Sequence, residues 1–212
     1  MSIIVLIGGG HASGKTTAAD LLKIEVTKTF PELSVKLIDM DNYLIPGMIN
    51  ESRYSSSKST AITVSNEVFQ PLKPSRFDFK QLKDDLTQDE TQLVIVHGLY
   101  ALYDKEIRDL SKFKIFISSD ADTRLIRWIR RDVTSGNCSL ETVINKYLQG
   151  ARAEMNDFIN PTKEFSDVIM PTGAEANAVG LIVDGISPYV GKQSHYSVPV
   201  YHEEKKSFYE LN

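Results

Sequence analysis

One short stretch near the start of the chain has the residue types and spacing that could hold phosphate groups. Its residues, Gly9-Gly10-His11-Ala12-Ser13-Gly14-Lys15-Thr16, match the pattern G-x-x-x-x-G-K-[ST], and Thr17 follows. Glycines permit a tight turn that points backbone N–H groups at phosphate oxygens, and a helix beginning there adds about half a positive charge. Lys15 then faces the terminal phosphates, and the Thr16 hydroxyl ligates Mg²⁺. The alternative interpretation is a glycine-rich turn with an exposed lysine.

Short apolar segments and amphipathic patterns alternate along the chain. The apolar segments are residues 3–7, 35–38, 93–96, 114–117 and 168–170. Three of them are nearly continuous in apolar residues, as strands buried on both faces of a parallel sheet are. The first runs directly into the phosphate pattern, and an amphipathic segment that ends at Pro31 follows it. The sequence therefore predicts an α/β fold with a five-stranded parallel sheet flanked by helices.

Two later segments also have helical periodicity. Apolar residues at 125, 126 and 129 are interleaved with four arginines, namely Arg124, Arg127, Arg130 and Arg131. For Arg124 and Arg130 we expect a solvated helix face. The second segment covers residues 140–151, with Ser139 as its candidate N-cap. We expect a loop over residues 50–75, and a C-terminal arm over 188–212 that follows a single domain over 1–187.

Composition limits the classes of partner and the compartment. The 212 residues carry a net charge of −4, which does not suit a protein whose main partner is the nucleic-acid backbone. The single cysteine, Cys138, cannot form an internal disulfide, which favours a reducing compartment. The apolar run at 3–7 is too short to span a membrane. We therefore expect a cytoplasmic protein without nucleic-acid or membrane partners, and the sequence leaves presence in the nucleus open.

Further motifs follow the phosphate pattern. In chain order they are Asp39-Met40-Asp41-Asn42-Tyr43, Val94-Ile95-Val96-His97-Gly98, Asp120-Ala121-Asp122-Thr123-Arg124-Leu125, Arg131-Asp132, Pro161-Thr162-Lys163, Phe165-Ser166-Asp167-Val168-Ile169-Met170-Pro171 and Gly173. On these residues the chain resembles the uridine (uridine–cytidine) kinase family of P-loop kinases over about residues 3–186. The stretches at 120–132 and 161–173 are far more specific to that family than the phosphate loop is. The resemblance implies a P-loop NTPase fold with a lid segment.

The resemblance also implies a reaction and roles for individual residues. The reaction is ATP- and Mg²⁺-dependent transfer of a γ-phosphate to a nucleoside 5′-hydroxyl, in pyrimidine salvage. Asp41 matches the family's catalytic carboxylate, and we assign it to the metal together with Thr16. Without the resemblance, the competing interpretation is that Asp41 is a solvated turn residue. Arg131 matches a lid-side arginine that neutralises the transferring phosphate, and Arg127 is a second candidate. Glu175 lies where the family closes its adenine pocket, in place of the usual aspartate.

The resemblance is weakest on the side of the phosphate acceptor. Asp41, Tyr43, Ser75 and Trp128 are the residues that we assign to substrate binding. Ser75 stands where the family has an aspartate that holds the ribose diol, and no hairpin that grips a pyrimidine fits between residues 77 and 92. Trp128 replaces an arginine and is either a packing residue or a platform for a nucleobase.

Two histidines belong to the motifs on the side of the phosphate donor, ATP. His97 stands where the family has a glutamate near Mg²⁺, and His11 is expected to point outward from the phosphate loop. A zinc site at these histidines is poorly supported, because no cysteine partner or ligand spacing accompanies them.

Three functions fit these observations. The first is a nucleoside kinase with ATP and a nucleoside as its small-molecule partners. The second is a nucleotide-binding regulatory protein that has lost kinase activity, and the third is a kinase for another small hydroxyl metabolite. The first follows from the breadth of the resemblance, and the other two follow from the altered acceptor residues. The sequence does not predict the oligomeric state.

Overall fold

The computed structural model describes residues 2–45, 72–171, 173 and 175–190. Most of the loop expected over 50–75 and of the arm expected over 188–212 lies outside these ranges. Residues 188–190, which the sequence places in the arm, belong instead to the last helix, which ends at Val190. The helix extends that far because Val190 is buried in the hydrophobic core.

Five parallel strands form one sheet in the order β2-β3-β1-β4-β5. Their bounds are β1 Ile3–Gly9, β2 Val35–Asp39, β3 Leu93–His97, β4 Phe113–Ile117 and β5 Val168–Met170. The five-stranded parallel sheet predicted from the sequence is confirmed. Because every strand runs in the same direction, all carboxyl ends lie at one edge of the sheet, where α/β proteins bind ligands.

Helices cover both faces of the sheet. They are α1 Lys15–Thr29, α2 Phe79–Gln88, α3 Lys105–Leu110, α4 Ala121–Asp132, α5 Leu140–Lys146, α6 Arg152–Glu154 and α7 Ala176–Val190. Short 3₁₀ turns lie at Met40–Tyr43, Pro74–Arg76 and Asn160–Phe165, and π-helical turns lie at Tyr147–Ala151 and Met155–Ile159. Within the described ranges, no helix has the length and apolar character needed to cross a membrane.

Alternate side chains of β1 belong to two hydrophobic layers. Ile3, Val5 and Ile7 face the layer that contains buried residues of α1 and α7. Ile4 and Leu6 face the layer that contains buried residues of α2 and α3. Burial on both faces explains why the strand segments are continuous in apolar residues and do not alternate with polar ones.

The α4 helix forms where the arginine-rich pattern predicts it, but it buries a different face. Its buried residues are Arg124, Trp128 and Asp132, and Ile126 is about half exposed. The expectation that Arg124 is solvated is therefore wrong. The Arg124 side chain lies under the phosphate loop, and its Nε donates to the carbonyl of Ser119 at 3.1 Å. Arg130 is exposed, as expected.

The next helical segment begins as predicted and then departs from regular α geometry. The Ser139 hydroxyl caps α5 by accepting the N–H of Thr142 at 3.1 Å. Leu140 and Leu148 are exposed although the pattern places them on the buried face. The π-helical turn at 147–151 changes the angular spacing of side chains, so the α-helical periodicity does not describe the packed face.

Gly98 follows β3 and lies against the residue that precedes Asp41. A Cβ at Gly98 would overlap the Cβ of Met40, which is fully buried. Because neither atom can rotate away, Gly98→Ala should lower the free energy of unfolding by about 1–3 kcal/mol. Chemical denaturation of the purified protein measures this difference.

Gly180→Ala in α7 is the matched control, because a Cβ there would meet no other described atom within 4 Å. Its free energy of unfolding should stay equal or rise by up to about 1 kcal/mol, since alanine is the better helix former. An equal loss in the two variants would contradict the steric explanation for Gly98.

Candidate active site

The residues of the phosphate pattern form a tight turn between β1 and α1. Gly9 has a φ of 145° and Gly14 a φ of 103°. A Cβ at Gly9 would lie 2.6 Å from the carbonyl oxygen of Ile117, so glycine is required there on both grounds. Ala12 has a φ of 53° and is the one non-glycine residue with a positive φ among those described. Strain of this kind is often stored in functional turns.

The start of α1 has the features of an anion site. Gly14 precedes the helix, and in the described part of the chain no side chain caps its first N–H groups. The hydroxyl of Ser13 is buried and has no hydrogen-bond partner among the described residues. Unpaired N–H groups at a helix N-terminus favour a bound phosphate. This arrangement fits the phosphate chain of a nucleotide.

Lys15 and Asp41 interact electrostatically at the carboxyl edge of the sheet. The Lys15 Nζ donates to the carbonyl of Gly10 at 2.8 Å. Burial lowers the pKa of Lys15 to about 8, against the opposing effect of the Asp41 and Asp39 carboxylates. Burial, with Asp39, raises the pKa of Asp41 to about 6, against the opposing effect of Lys15 and Arg131. Two groups shifted toward neutral pH in one site are typical of acid–base and phosphate chemistry.

Asp39 and His97 end neighbouring strands and lie opposite each other in register. Asp39 Oδ1 accepts the N–H of Asp41 at 3.0 Å, which fixes the turn that presents Asp41. Burial lowers the pKa of His97, although the Asp39 carboxylate opposes the shift. Within the described residues, no group of three His, Cys, Asp or Glu side chains could hold a metal by itself. A Mg²⁺ ion at this edge would take most of its ligands from phosphate oxygens and water.

Arg127 and Gly173 lie on the other side of the phosphate loop. The Arg127 Nη1 donates to the carbonyl of Ser13 at 3.2 Å and to the hydroxyl of Ser119 at 3.3 Å. A Cβ at Gly173 would lie 3.4 Å from the same Nη1. Glu175 is exposed two residues further along the chain. Arg127 is thus bonded to the loop backbone, and Glu175 follows the segment that packs against it.

Arg131 lies on the exposed side of α4. Its Nε donates to Asp132 Oδ1 at 2.6 Å, and its Nη2 donates to Asp132 Oδ2 at 3.1 Å. Its charge lowers the pKa of both Lys15 and Asp41. The guanidinium therefore lies within electrostatic reach of the two groups at the sheet edge.

His11 does not point outward from the loop, so that expectation is wrong. Its side chain is 7% exposed, and its Nε2 lies 2.6 Å from Glu154 Oε2. The other carboxylate oxygen of Glu154, which is 1% exposed, accepts the N–H of Leu72. Burial lowers the pKa of His11, although the bond to Glu154 opposes the shift. The cause is an acidic partner from a distant part of the chain, which makes burial of the histidine favourable.

Trp128 packs in the interior. Its ring is 1% exposed and stacks on His11, with ring centroids 5.2 Å apart and an interplanar angle of 18°. Val143 and Ala151 complete the buried part of this cluster. The assignment of Trp128 to substrate binding is therefore wrong, because no face of the ring is open to a nucleobase. The alternative interpretation, that Trp128 is a packing residue, agrees with its burial in this cluster.

Backbone hydrogen bonds join the segments of Tyr43 and Ser75, two of the residues assigned to the acceptor side. The N–H of Asp78 donates to the carbonyl of Tyr43 at 2.8 Å, which joins the segment of Tyr43 to that of Ser75. Ser75 is exposed, whereas the Tyr43 hydroxyl donates to Asp85 at 2.8 Å. The α2 helix follows this segment directly. Between residues 77 and 92, all of them described, the structure has no hairpin, as predicted.

Sequence reasoning missed the buried roles of Glu154 and Asp132. Asp132 follows the buried Trp128 by four residues, and Glu154 follows the buried Ala151 by three. These spacings place each carboxylate on the inner face of its helix. A charged residue on such a face signals a buried partner, because an unpaired buried charge is costly.

The two bonds of Glu154 connect the phosphate loop to Leu72. Glu154→Ala removes one hydrogen bond from each of two buried groups, so the free energy of unfolding should fall by about 3 kcal/mol. Glu154→Gln keeps an acceptor for one of the two groups, so its free energy of unfolding should fall by a smaller amount. Urea denaturation monitored by circular dichroism measures both changes. Glu141→Ala, at an exposed position of α5, is the control and should change stability by less than about 0.5 kcal/mol. Equal stability of the alanine variants at 154 and 141 would contradict the role of the pair.

Comparisons with known proteins give relatives that cover most of the chain. The model of the "Phosphoribulokinase / Uridine kinase family" matches residues 47–179. The chain is 34% identical over 184 residues to a Saccharomyces cerevisiae protein named "Putative uridine kinase DAS2", covering 87% of this chain and 77% of that protein. It is 32% identical over 193 residues to a protein of Macrococcus caseolyticus named "Uridine kinase", covering 84% of this chain and 91% of that protein.

Among solved structures, the chain is similar to shikimate kinase from Acinetobacter baumannii. The identity is 14%, the TM-score is 0.49, and the match covers 92% of this chain and 97% of that one. The family itself follows from the sequence comparisons. The family model matches more than half of the chain, and the two relatives are more than 30% identical to it over most of its length. The chain therefore belongs to the phosphoribulokinase/uridine kinase family.

Proposed function

We propose that the protein is an ATP-dependent nucleoside kinase of the uridine type, which transfers the γ-phosphate of ATP to a 5′-hydroxyl in cytoplasmic pyrimidine salvage. The observation that carries this proposal is the placement of Lys15, at the start of α1, and Asp41, in the turn after β2, within electrostatic reach of each other at one edge of the sheet. Phosphoryl transfer to an alcohol needs a cation for the phosphates and a carboxylate for the hydroxyl within reach of each other. The uridine kinases among the relatives support the choice of acceptor class.

The donor side uses the loop from Gly9 to Thr17. Its N–H groups and the start of α1 hold the phosphate chain, and Lys15 contacts the terminal phosphates. Thr16 and Asp41 are the proposed protein ligands of Mg²⁺, which neutralises charge on the phosphates when it is bound. Arg127 and Glu175 are the proposed residues on the adenine side. Gly173 packs against the Arg127 guanidinium beside the loop, and Glu175 follows Gly173 by two residues.

Asp41 is the proposed general base. With a pKa near 6, its carboxylate is ionised at neutral pH and is still a stronger base than an ordinary aspartate. The bond from its N–H to Asp39 holds the turn in place, so the carboxylate does not have to reorganise during the reaction. It would orient the acceptor hydroxyl and accept its proton as the new bond to phosphorus forms.

Arg131 is the proposed arginine for the transferring phosphate. Its electrostatic effect on Lys15 and Asp41 supports this role. An arginine so placed contributes up to ~10³–10⁵ in rate in phosphoryl-transfer enzymes, because it stabilises charge on the equatorial oxygens.

Tyr43 and Ser75 are the proposed acceptor-side residues beside Asp41. A serine can hydrogen-bond a ribose hydroxyl but carries no charge, and the Tyr43 hydroxyl is engaged by Asp85. Strong discrimination, on the order of 10⁴–10⁵, requires buried polar groups that only the correct substrate can pair. We therefore expect weak selectivity among nucleosides.

A coupled assay with ATP and Mg²⁺ against a panel of nucleosides tests the proposal. Uridine or cytidine should be phosphorylated, and Asp41→Asn should lower kcat by about 10²–10⁴-fold. Lys15→Ala should raise the KM for ATP. Asp84→Asn, at an exposed position of α2, should leave the rate unchanged. If no nucleoside turns over faster with the wild-type protein than with Asp41→Asn, the proposed reaction is wrong.

The pH dependence of kcat/KM for ATP should be bell-shaped. Below about pH 6 Asp41 is protonated and cannot accept a proton, and above about pH 8 Lys15 loses the charge that binds phosphate. The two apparent values belong to the coupled pair. In Lys15→Arg the falling limb should disappear, because a guanidinium stays charged. A falling limb that persists in this variant would show that another group causes it.

A further inference from the structure

Arg131 is held by the residue that follows it in the chain. Its Nε and Nη2 donate to the two carboxylate oxygens of Asp132, at 2.6 and 3.1 Å. A two-point contact of this kind fixes the plane of the guanidinium as well as its position. Consecutive residues of a helix point in different directions, so the Arg131 side chain must fold back over α4 to make this contact.

Asp132 is itself fixed from two sides. Its side chain is 12% exposed, and its Oδ2 accepts the indole N–H of Trp128 at 2.8 Å. Its backbone carbonyl accepts the N–H groups of Asn137 and Cys138, at 2.9 and 3.2 Å. Burial acts to raise the pKa of Asp132, but the Arg131 guanidinium and the Trp128 N–H outweigh it and lower the pKa. The carboxylate is therefore an anion in a defined orientation.

Trp128 connects this carboxylate to the phosphate loop. Its ring stacks on His11, which belongs to the loop, and His11 is bonded to Glu154. The series from Arg131 through Asp132 and Trp128 to His11 is continuous, and its three inner members are buried. The position of the guanidinium is thus defined relative to the loop by direct contacts.

We propose that Trp128 and Asp132 are positioning residues for Arg131, and that they set its guanidinium relative to the phosphate loop before substrates bind. In the described part of the chain, Nη1 is the guanidinium nitrogen of Arg131 without a hydrogen bond, which leaves it for a phosphoryl oxygen. The Asp132 carboxylate offsets part of the positive charge of Arg131. The fixed orientation compensates for this loss, because the guanidinium does not have to reorganise during phosphoryl transfer. The consequence for catalysis rests on the proposed function, whereas the fixed orientation does not.

Nuclear magnetic resonance of the arginine side chains tests the fixed orientation without any substrate. In the full-length protein, one arginine Nε–H signal should exchange slowly with water and disappear in Arg131→Lys. The same signal should exchange faster in Asp132→Asn, and also in Trp128→Phe, which keeps a ring on His11 but removes the indole N–H. Arg130→Lys, at an exposed position, should leave it unchanged. Unchanged exchange of the Arg131 signal in both Asp132→Asn and Trp128→Phe would overturn the proposal.

Steady-state assays with ATP and uridine test the catalytic consequence. Asp132→Asn should lower kcat on the order of 100-fold, since a small misplacement of a reacting group has an effect of that size. The KM for ATP should change by less than about twofold, because Lys15 and the loop amides still bind the phosphates. Asp132→Glu should recover part of the rate, and melting temperatures identify any variant that is merely unfolded.

Addition of guanidinium at millimolar concentration separates positioning from folding. It should restore part of the activity of Arg131→Ala, because Asp132 holds the free ion where the side chain was. It should restore none in the double variant Arg131→Ala/Asp132→Asn, and equal rescue in both would contradict the role of Asp132. A wild-type kcat in Arg131→Lys and Arg131→Ala would instead remove Arg131 from the reaction, which is a failure of the proposed function.

Discussion

Two charged side chains are partly removed from water at the carboxyl edge of the sheet. The rest of the structure depends on this constraint. A lysine and an aspartate are partly buried there, and each stabilises the charged form of the other. Burial of either one alone would be costly, because a charged group in a low dielectric needs a partner. The strand β2 and the loop after β1 hold the two groups at a shared edge, so the parallel sheet is the part of the fold that makes the coupling possible.

The interior beneath the phosphate loop contains buried polar groups that have specific partners. Arg124 bonds a carbonyl, His11 bonds Glu154, and Trp128 bonds Asp132. Buried polar groups that are fully paired restrict the protein to one arrangement more strongly than apolar packing does. The loop is therefore supported from below by directional contacts, whereas the two layers beside the sheet depend on hydrophobic burial.

Local pattern was sufficient to predict the sheet and the phosphate loop. Strands such as β1 are buried on both faces and read as apolar runs, and the loop follows a motif whose spacing is set by backbone geometry. The expectations that His11 points outward and that Arg124 is solvated are wrong, because local sequence gives no sign of a partner that folds against these residues. Glu154 lies 143 residues after His11 in the chain, and only the tertiary fold joins the two. The local pattern does not predict the π-helical turns between residues 147 and 159 either, since such turns leave no simple repeat in the sequence.

The lowered pKa of Lys15 also has a chemical consequence. With a pKa of about 8, Lys15 carries a neutral amine near neutral pH far more often than an ordinary lysine does. A neutral amine is a nucleophile, and this one lies where negatively charged ligands are drawn. The residue that we propose to bind phosphate is by the same physics more readily acylated by an anionic electrophile than a lysine with the usual pKa.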